Sequence, residues 1–251
     1  METLLLFVTG FIAGVVNSVA GGGALVIFPL LISMGLTPKL ANTTTSIGVY
    51  GGQMSSAYGY KKFLRELKDP RLVVFLCIGL FGGAIGAFAL DRTSSNAFSE
   101  LAPWFVLFAV TMLTVQPYLS RWISSAKRAR PSHTLWFLVL CTIAACISVY
   151  GGFFGAGMGI MIFAVLGFAG LSSVHQINGV KNLMTIAINT AANIYFIASG
   201  LVSWEQAGIL FAASAAGGLI GSKNAPKLSS SFIRGLVIVS GLTATVILFR
   251  N

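Results

Sequence analysis

The sequence predicts an all-α fold: a polytopic helical membrane protein made of two inverted five-segment repeats, with glycine-broken helices near the membrane midplane. Composition is the first observation behind this prediction. Of the residues, 56% are hydrophobic and 9% are charged, and the mean hydropathy is +0.87, whereas a soluble domain carries roughly 25% charged residues. We therefore exclude a soluble protein. We assign the net charge of +10 to basic loops rather than to nucleic-acid binding, because cytoplasmic loops of membrane proteins collect Lys and Arg.

Ten apolar segments are the second observation, and each predicts one helix. They cover residues 4–19, 23–34, 42–60, 71–90, 101–119, 134–150, 155–171, 177–199, 204–222 and 232–249. The first two form one run from Leu4 to Met34, which is too long for a single membrane span of about 20 residues. Three consecutive glycines, Gly21, Gly22 and Gly23, interrupt this run, and glycine disfavours a helix because ordering its backbone costs the most entropy. We expect two short helices that meet at this glycine break.

The glycine break has two interpretations. Irregular backbone survives inside a membrane only where it is buried in protein or lines a wet cavity. A break can therefore be a binding site, or it can be a packing point where small residues let helices approach closely. We favour a binding site, because a second glycine break occurs later in the chain.

An internal duplication is the third observation. Four motifs recur in the same order, with spacings of 136 residues from Gly21 to Gly157 and 135 residues from Gly82 to Gly217. The matched stretches are 19–23 with 155–159, Asn42 with Asn178, 82–86 with 217–221, and 94–95 with 229–230. This order predicts two repeats, residues 1–126 and 127–251, within a single integral membrane domain.

Loop charges predict that the second repeat is inverted relative to the first. The loops 61–71, 120–133 and 222–234 are rich in Lys and Arg, whereas the loops 91–100 and 200–205 are not. The positive-inside rule places the first three loops in the cytoplasm and the other two outside, with both termini outside. The loops 61–71 and 200–205 are equivalent in the two repeats, yet they fall on opposite sides. Each repeat then crosses the membrane an odd number of times, as five short spans or as three spans and a re-entrant hairpin.

Polar side chains follow each break along one helical face and are the first candidates for a binding site. In the second repeat they are Asn178, Asn182, Thr185, Asn189 and Asn193, and the matching polar positions of the first repeat are Asn42, Ser46 and Gln53, with Thr43, Thr44 and Thr45 beside them. At 3.6 residues per turn, each set forms a stripe on its helix. Asn and Gln donate hydrogen bonds without carrying a charge, which suits a partly desolvated oxyanion. The alternative role of the stripes is hydrogen bonding between helices.

The candidate site combines both stripes with both breaks and one lysine. Its glycines are Gly21, Gly22, Gly23, Gly157 and Gly159. A helix that starts at a break presents unpaired N–H groups and partial positive charge, which suit an anion. Lys181 is the one charged residue clearly within an apolar segment, and an intramembrane lysine is a functional hypothesis by default. The alternative is a lysine that extends to the membrane surface.

No pattern in the sequence supports an enzyme, a cofactor or a metal site. The sequence has no Walker A motif, no His-Glu-x-x-His, no Gly-x-Ser-x-Gly and no Cys-x-x-Cys. No Asp or Glu falls in the middle of an apolar segment, so a carboxylate proton relay is not predicted. The cysteines Cys77, Cys141 and Cys146 are interpreted as small core residues. The expected partners are a small anion and the lipid bilayer, without nucleic acid, and the sequence leaves a homo-oligomer open.

These motifs together resemble the TauE/SafE sulfite-exporter family. The residues that carry the resemblance are Gly10-Phe11-Ile12-Ala13-Gly14, Ala20-Gly21-Gly22-Gly23, Pro29-Leu30-Leu31, Gly35-Leu36, Ala41-Asn42-Thr43-Thr44 and Gly82-Gly83-Ala84-Ile85-Gly86-Ala87. The resemblance covers nearly the whole chain and recurs in both repeats. It implies a multi-pass carrier of the bacterial plasma membrane for sulfur-containing anions such as sulfite, thiosulfate and organosulfonates, usually an exporter.

The leading hypothesis is a secondary transporter or facilitator that exports a small anion, either a sulfur oxyanion or an organosulfonate. An anion that leaves a negative interior gains roughly 2.3 kcal/mol per charge per 100 mV, so export needs no acid relay. Two alternatives remain. One is an anion channel with re-entrant loops, and the other is a non-transporting membrane scaffold in which the glycines serve packing alone.

Overall fold

All regular secondary structure is helical in the residues that the computed structural model describes. These residues are 1–19, 21–65, 67, 69–125, 133–171, 173–224 and 230–250. Ala20 of the first break and Ser229 of the duplicated motifs lie outside them. So do the basic residues Lys68, Lys127, Arg128, Arg130 and Lys227, which contribute to the predicted orientation of three loops.

The described helices include one for each of the ten predicted segments, with bounds that differ by a few residues. In chain order they are α1 (Glu2–Val19), α2 (Ala24–Ser33), α3 (Pro38–Gly59), α4 (Lys61–Arg65), α5 (Arg71–Arg92), α6 (Ser95–Ser125), α7 (His133–Phe153), α8 (Met158–Phe168), α9 (Val174–Ala198), α10 (Trp204–Asn224) and α11 (Ser230–Arg250). The additional helix is α4, which lies in the stretch 61–71 that is predicted as a loop. α5, α7 and the Ser95–Val115 part of α6 are long and apolar enough to cross a membrane, and α1, α2, α8 and α11 provide shorter apolar helices.

Local chemistry accounts for the ends of several helices. α3 begins directly after Thr37, whose backbone is extended, and carries Pro38 at its first position, where a proline has no helical N–H bond to lose. α2 and α8 are followed by Gly35 and Gly170, with φ of +87° and +103°. Glycine adopts this left-handed conformation without side-chain strain, so both short helices stop just before these residues.

The helices pack as two groups of three, and each group contains two helices from one half of the chain and one helix from the other half. We call α1–α6 the first half and α7–α11 the second half. α10 of the second half packs against α1 and α3, and α5 of the first half packs against α7 and α9. α3 contacts α9 where the two groups meet, and α6 packs against α11. The packing of α10 against α1 and α3 therefore corresponds to the packing of α5 against α7 and α9.

Glycines bring α10 close to α3, and the two helices run parallel. The Gly52 N–H donates to the Ser214 Oγ at 2.9 Å, and one turn further along both helices the Ser56 Oγ donates to the Gly218 carbonyl oxygen at 3.2 Å. A Cβ on Gly218 would overlap the Gly52 carbonyl oxygen. The glycine-rich segment 82–86 packs in the same way against α7 and α9, as small residues do between membrane helices.

α3 and α9 run antiparallel where the two groups of helices meet. The Ser46 Oγ donates to the Asn193 Oδ1 at 2.7 Å, and further along α3 the Asn189 Nδ2 donates to the Gln53 Oε1 at 3.0 Å. α3 and α9 occupy equivalent places in the two halves, so their opposite directions agree with an inverted repeat. The orientation of the repeats relative to a membrane stays a prediction.

The interpretation of the cysteines as core residues is wrong. Cys77 and Cys146 are exposed, and Cys141 is partly exposed. They lie on α5 and α7, which also expose large apolar side chains such as Phe81 and Leu138. Lipid tails are as apolar as a leucine side chain, so the outer face of a membrane helix is as apolar as its inner face. An apolar neighbourhood in the sequence therefore does not predict burial here.

Candidate functional site

The two glycine breaks contact each other. Gly21, between α1 and α2, has a φ of +83°, and a Cβ on Gly159 would lie 3.1 Å from the Gly21 Cα. In the second half, Gly155 and Gly157 also have positive φ, at +77° and +78°, and α8 begins directly afterwards at Met158. Two breaks that are far apart in the chain thus form one junction.

A small cavity lies at this junction. It is lined by Asn17, Gly21, Ala24, Thr45, Ser46, Val49, Gln53, Gly151, Phe154, Gly155, Met158, Gly159, Thr185 and Asn189. The space open to the centre of a water-sized sphere is about 20 Å³, and about 10 to 15 Å³ on this measure is enough for one water molecule. The cavity has room for water in this conformation and must widen to admit an ion with several oxygen atoms.

Two helix N-termini border the cavity. Ala24 is the first residue of α2 and Met158 the first residue of α8, and both lie in the cavity wall. The N-terminal end of a helix carries partial positive charge, and here the Leu25, Val26, Met158 and Ile160 N–H groups donate to carbonyl oxygens of the preceding glycine turns. Among the described residues, no acidic side chain lines the cavity. Its electrostatics therefore favour an anion.

Ser46, Gln53 and Asn189 line the cavity and also join α3 to α9. All three belong to the predicted polar stripes and lie in the cavity wall. Gln53 and Asn189 are each 2% exposed and share the hydrogen bond described above. Their positions are equivalent in the two halves, so this bond links the matched sites of the duplication. The stripes are predicted either to line a binding site or to form hydrogen bonds between helices, and these three residues do both: they line the cavity and they bond α3 to α9.

Thr45, which lies beside the predicted stripe of α3, lines the cavity, and so does Asn17, which the sequence pattern did not indicate. Thr45 is 3% exposed and its Oγ1 has no hydrogen-bond partner, although a buried unpaired hydroxyl costs free energy unless water or a ligand pairs with it. Asn17 lies in the last turn of α1 and lines the cavity. The signal that could have found Asn17 is an amide in an apolar stretch, one turn before Gly21.

Lys181 is buried beside the cavity. It is 1% exposed, and its Nζ donates to the Asn17 carbonyl oxygen and to the Asn178 Oδ1, both at 3.1 Å. Both acceptors are neutral, and no carboxylate in the described part of the chain forms an ion pair with it. The alternative of a lysine that extends to the surface does not fit this geometry. A buried ammonium without a counter-ion stabilises a bound anion.

Three of the predicted glycines lie outside the cavity wall. A Cβ on Gly22 would lie 3.3 Å from the Val237 side chain. One on Gly157 would lie 3.2 Å from the Ala109 side chain, and one on Gly23 would overlap the backbone of α1. These glycines sit at close contacts with neighbouring helices, whereas Gly21 and Gly159 face the cavity.

Four of the predicted amides are buried away from the cavity wall, namely Asn42, Asn178, Asn182 and Asn193. The Asn42 Nδ2 donates to the Phe153 carbonyl oxygen at 2.9 Å, and Phe153 is the last residue of α7. Asn182 is 1% exposed, and its Nδ2 has no hydrogen-bond partner. Asn42 therefore pairs with the backbone carbonyl at the end of α7, whereas the N–H donors of the Asn182 amide have no acceptor.

Comparisons with known proteins agree with the resemblance noted in the sequence. The family described as Sulfite exporter TauE/SafE matches residues 6–248. A probable membrane transporter protein of Haemophilus influenzae is 27% identical over 244 residues, which cover 96% of this chain and 92% of the relative. The probable membrane transporter protein YfcA of Escherichia coli K12 is 25% identical, with 98% and 90% covered. The probable membrane transporter protein YunE of Bacillus subtilis is 25% identical, with 93% and 92% covered.

The extent of the family match decides the assignment. No solved structure matches this chain. The family match begins in α1 and ends in α11, so it includes both glycine breaks, both polar stripes and every residue that lines the cavity. The chain therefore belongs to the sulfite exporter TauE/SafE family.

Proposed function

We propose that this protein is a secondary transporter or facilitator that moves a small anion across the bacterial plasma membrane. The family and the names of the bacterial relatives support transport. The observation that carries the proposal is the cavity between the glycine breaks. Two helix N-termini and polar side chains from both halves meet there, and a buried lysine lies beside it.

The groups around the cavity suit an oxyanion. The helix N-termini offer partial positive charge, Thr45 offers a hydroxyl, and Lys181 offers a charged N–H donor. A sulfur oxyanion or an organosulfonate presents several acceptor oxygens on one atom, so it can use donors that converge from different helices. The description of the family as sulfite exporters supports this class of substrate.

The cavity supports a carrier over a channel. Thr45, Gln53 and Asn189 in its wall are 3% exposed or less, whereas a channel needs a continuous path across the membrane. In carriers with inverted repeats, the halves move against each other around a central site, and α3 and α9, one from each half, both line this cavity. For the direction we propose export, because a negative interior drives an anion outward.

A thermal-shift screen followed by counterflow in proteoliposomes tests the proposal. The purified protein is screened against sulfite, sulfate, thiosulfate, sulfoacetate, taurine and carboxylates, and we expect a sulfur oxyanion or sulfonate to raise Tm most. Preloaded vesicles should then accumulate the labelled anion transiently, as a carrier does and a channel does not. Folded protein that moves none of these anions would favour the scaffold alternative.

Cysteine labelling tests the inverted arrangement, which is part of the same proposal. Lys62 on α4 and Glu205 at the start of α10 are exposed. In a background without Cys77, Cys141 and Cys146, we expect an impermeant maleimide to label Lys62→Cys from the cytoplasmic side and Glu205→Cys from outside. Labelling of both variants from the same side would contradict inversion.

A further inference from the structure

The end of α1 leaves one backbone carbonyl without its helical donor. In a regular helix the Gly21 N–H would donate to the Asn17 carbonyl oxygen, but here it donates to the Val16 carbonyl oxygen at 3.2 Å. The Lys181 Nζ binds the Asn17 carbonyl oxygen instead, at 3.1 Å. α1 and α9 belong to different halves and touch over a short stretch. This one hydrogen bond therefore ties the first glycine break to α9.

The charge of Lys181 has no permanent counter-ion. An ammonium has three N–H donors, and Lys181 uses two of them, on Asn17 and Asn178. α8 has no ionisable side chain, and α1 has one only at its far end. Besides Lys181, the ionisable side chains of α3, α4, α5, α7 and α9, with Tyr60 between α3 and α4, are Lys39, Tyr50, Tyr58, Tyr60, Lys61, Lys62, Arg65, Arg71, Cys77, Asp91, Arg92, His133, Cys141, Cys146, Tyr150, His175 and Tyr195. The carboxylate among them, Asp91, accepts a hydrogen bond from Tyr195, which lies about 21 Å along α9 from Lys181, and Asp69 before α5 pairs with Arg71. An anion from outside the chain is therefore the natural partner for the third donor.

We propose that Lys181 carries a proton through the transport cycle, so that anion binding and proton binding are coupled at this residue. The inference rests on the proposed transport function. A buried ammonium among neutral groups is costly, and either a bound anion or the loss of the proton removes that cost. Lysine, unlike arginine, changes its protonation state readily when buried. A neutral amine is also a poorer donor than an ammonium, so loss of the proton loosens the bond to Asn17.

Protons and charges balance through this cycle. Lys181 in its ammonium form binds the anion, and the two cross together. After the anion leaves, an N–H bond of the ammonium breaks, and the proton passes to water on the release side. The neutral amine returns and takes a new proton from water on the side where the next anion binds. With a divalent anion such as thiosulfate, the loaded site keeps a net negative charge, so a negative interior still favours export.

Proton movement during anion transport tests the proposal. Voltage-clamped proteoliposomes with a trapped pH dye receive an inward gradient of thiosulfate or methanesulfonate, neither of which takes up a proton near neutral pH. We expect the wild type to acidify the vesicle lumen as the anion enters. Lys181→Arg keeps its charge at every accessible pH, so exchange of anion for anion should persist while acidification is lost. Lys181→Gln should bind the anion roughly tenfold more weakly and should not acidify the lumen.

Binding calorimetry gives a second readout that does not depend on flux. In buffers of different ionisation enthalpy, measured at several pH values on both sides of neutrality, the wild type should take up protons with thiosulfate. Lys181→Arg should bind thiosulfate without proton uptake.

Lys39→Gln is the matched control. Lys39 is also buried, at 9% exposed, and its Nζ donates to the Asp91 and Thr93 carbonyl oxygens at the end of α5, at 2.9 and 2.8 Å. We expect the acidification per anion to be unchanged in this variant. Anion transport without proton movement in the wild type, or acidification retained by Lys181→Arg, would overturn the proton role and leave the carrier intact. Folded wild-type protein that moves no anion would overturn both proposals.

Discussion

The two halves satisfy the same backbone requirement with different side chains. Asn42 of α3 donates to the Phe153 carbonyl oxygen at the end of α7, at 2.9 Å. Lys181 of α9 donates to the Asn17 carbonyl oxygen near the end of α1, at 3.1 Å. Each bond closes a helix end of one half with a side chain from the other half. The donor is a neutral amide in one case and an ammonium in the other.

Equivalent positions sharpen this difference. Thr45 precedes Lys181 by 136 residues and is its counterpart in the first half. The Thr45 Oγ1 is unpaired and Thr45 lines the cavity, whereas the Lys181 Nζ is engaged beside it. The backbone arrangement is repeated, but the charge is present on one side only. The comparison teaches that a duplicated scaffold can carry an asymmetric site, with the chemistry of the site set by side chains that have no match.

The largest effect should come from removing the charged member of the pair. Lys181→Met removes the cation and leaves the Asn17 carbonyl oxygen unpaired. We expect anion affinity to fall by about 10- to 100-fold and the free energy of unfolding by about 1 to 3 kcal/mol. Calorimetry and denaturant unfolding measure the two quantities.

Asn42→Leu is the control for that prediction. It leaves the Phe153 carbonyl oxygen unpaired, at a similar cost in stability, but removes no charge. We expect anion affinity to stay within about threefold of the wild type. Equal losses of affinity in Lys181→Met and Asn42→Leu would show that the charge does not distinguish the two halves.

An intermediate effect should come from the glycines of the first break. Gly21 has a φ of +83°, and a Cβ there would lie 3.2 Å from the Gly159 Cα, so Gly21→Ala should cost about 1 to 2 kcal/mol and narrow the cavity. Gly22→Ala should cost less than about 0.5 kcal/mol, because its Cβ meets the adjustable Val237 side chain. Tm and flux per folded molecule measure the difference. If both substitutions are tolerated equally, Gly21 has no special place in the site.

The smallest effect should come from the unpaired hydroxyl. Thr45→Val removes a donor that no protein group uses, so stability should change by less than about 0.5 kcal/mol while anion affinity falls about two- to tenfold. Thr43→Val is the control, because the Thr43 Oγ1 already donates to the Lys39 and Leu40 carbonyl oxygens within α3. A titration of thiosulfate checks both variants. Unchanged affinity in Thr45→Val would remove this hydroxyl from the site.

Local patterns in the sequence could predict part of the site. The 3.6-residue period places Ser46 and Gln53 on one face of α3, and both line the cavity. The period cannot tell whether Gly21 or Gly22 faces the cavity, because the two residues are chemically identical and lie between α1 and α2, where the helical period does not apply. One of these glycines faces the cavity and the other faces Val237. Gly21 has a left-handed backbone, with a φ of +83°, so this direction cannot be read from helical spacing alone.

By itself, the sequence determined the membrane class, the helices and the repeated glycine breaks, because these depend on composition and on interactions within a few residues. Only the tertiary structure decided which polar groups meet. Lys181 and the Asn17 carbonyl oxygen are 164 residues apart in the chain, and Gln53 and Asn189 are 136 apart. Their contacts depend on the packing of α5 and α10 against helices of the other half and on the directions of α3 and α9. No local pattern encodes that packing, because it arises from the whole bundle.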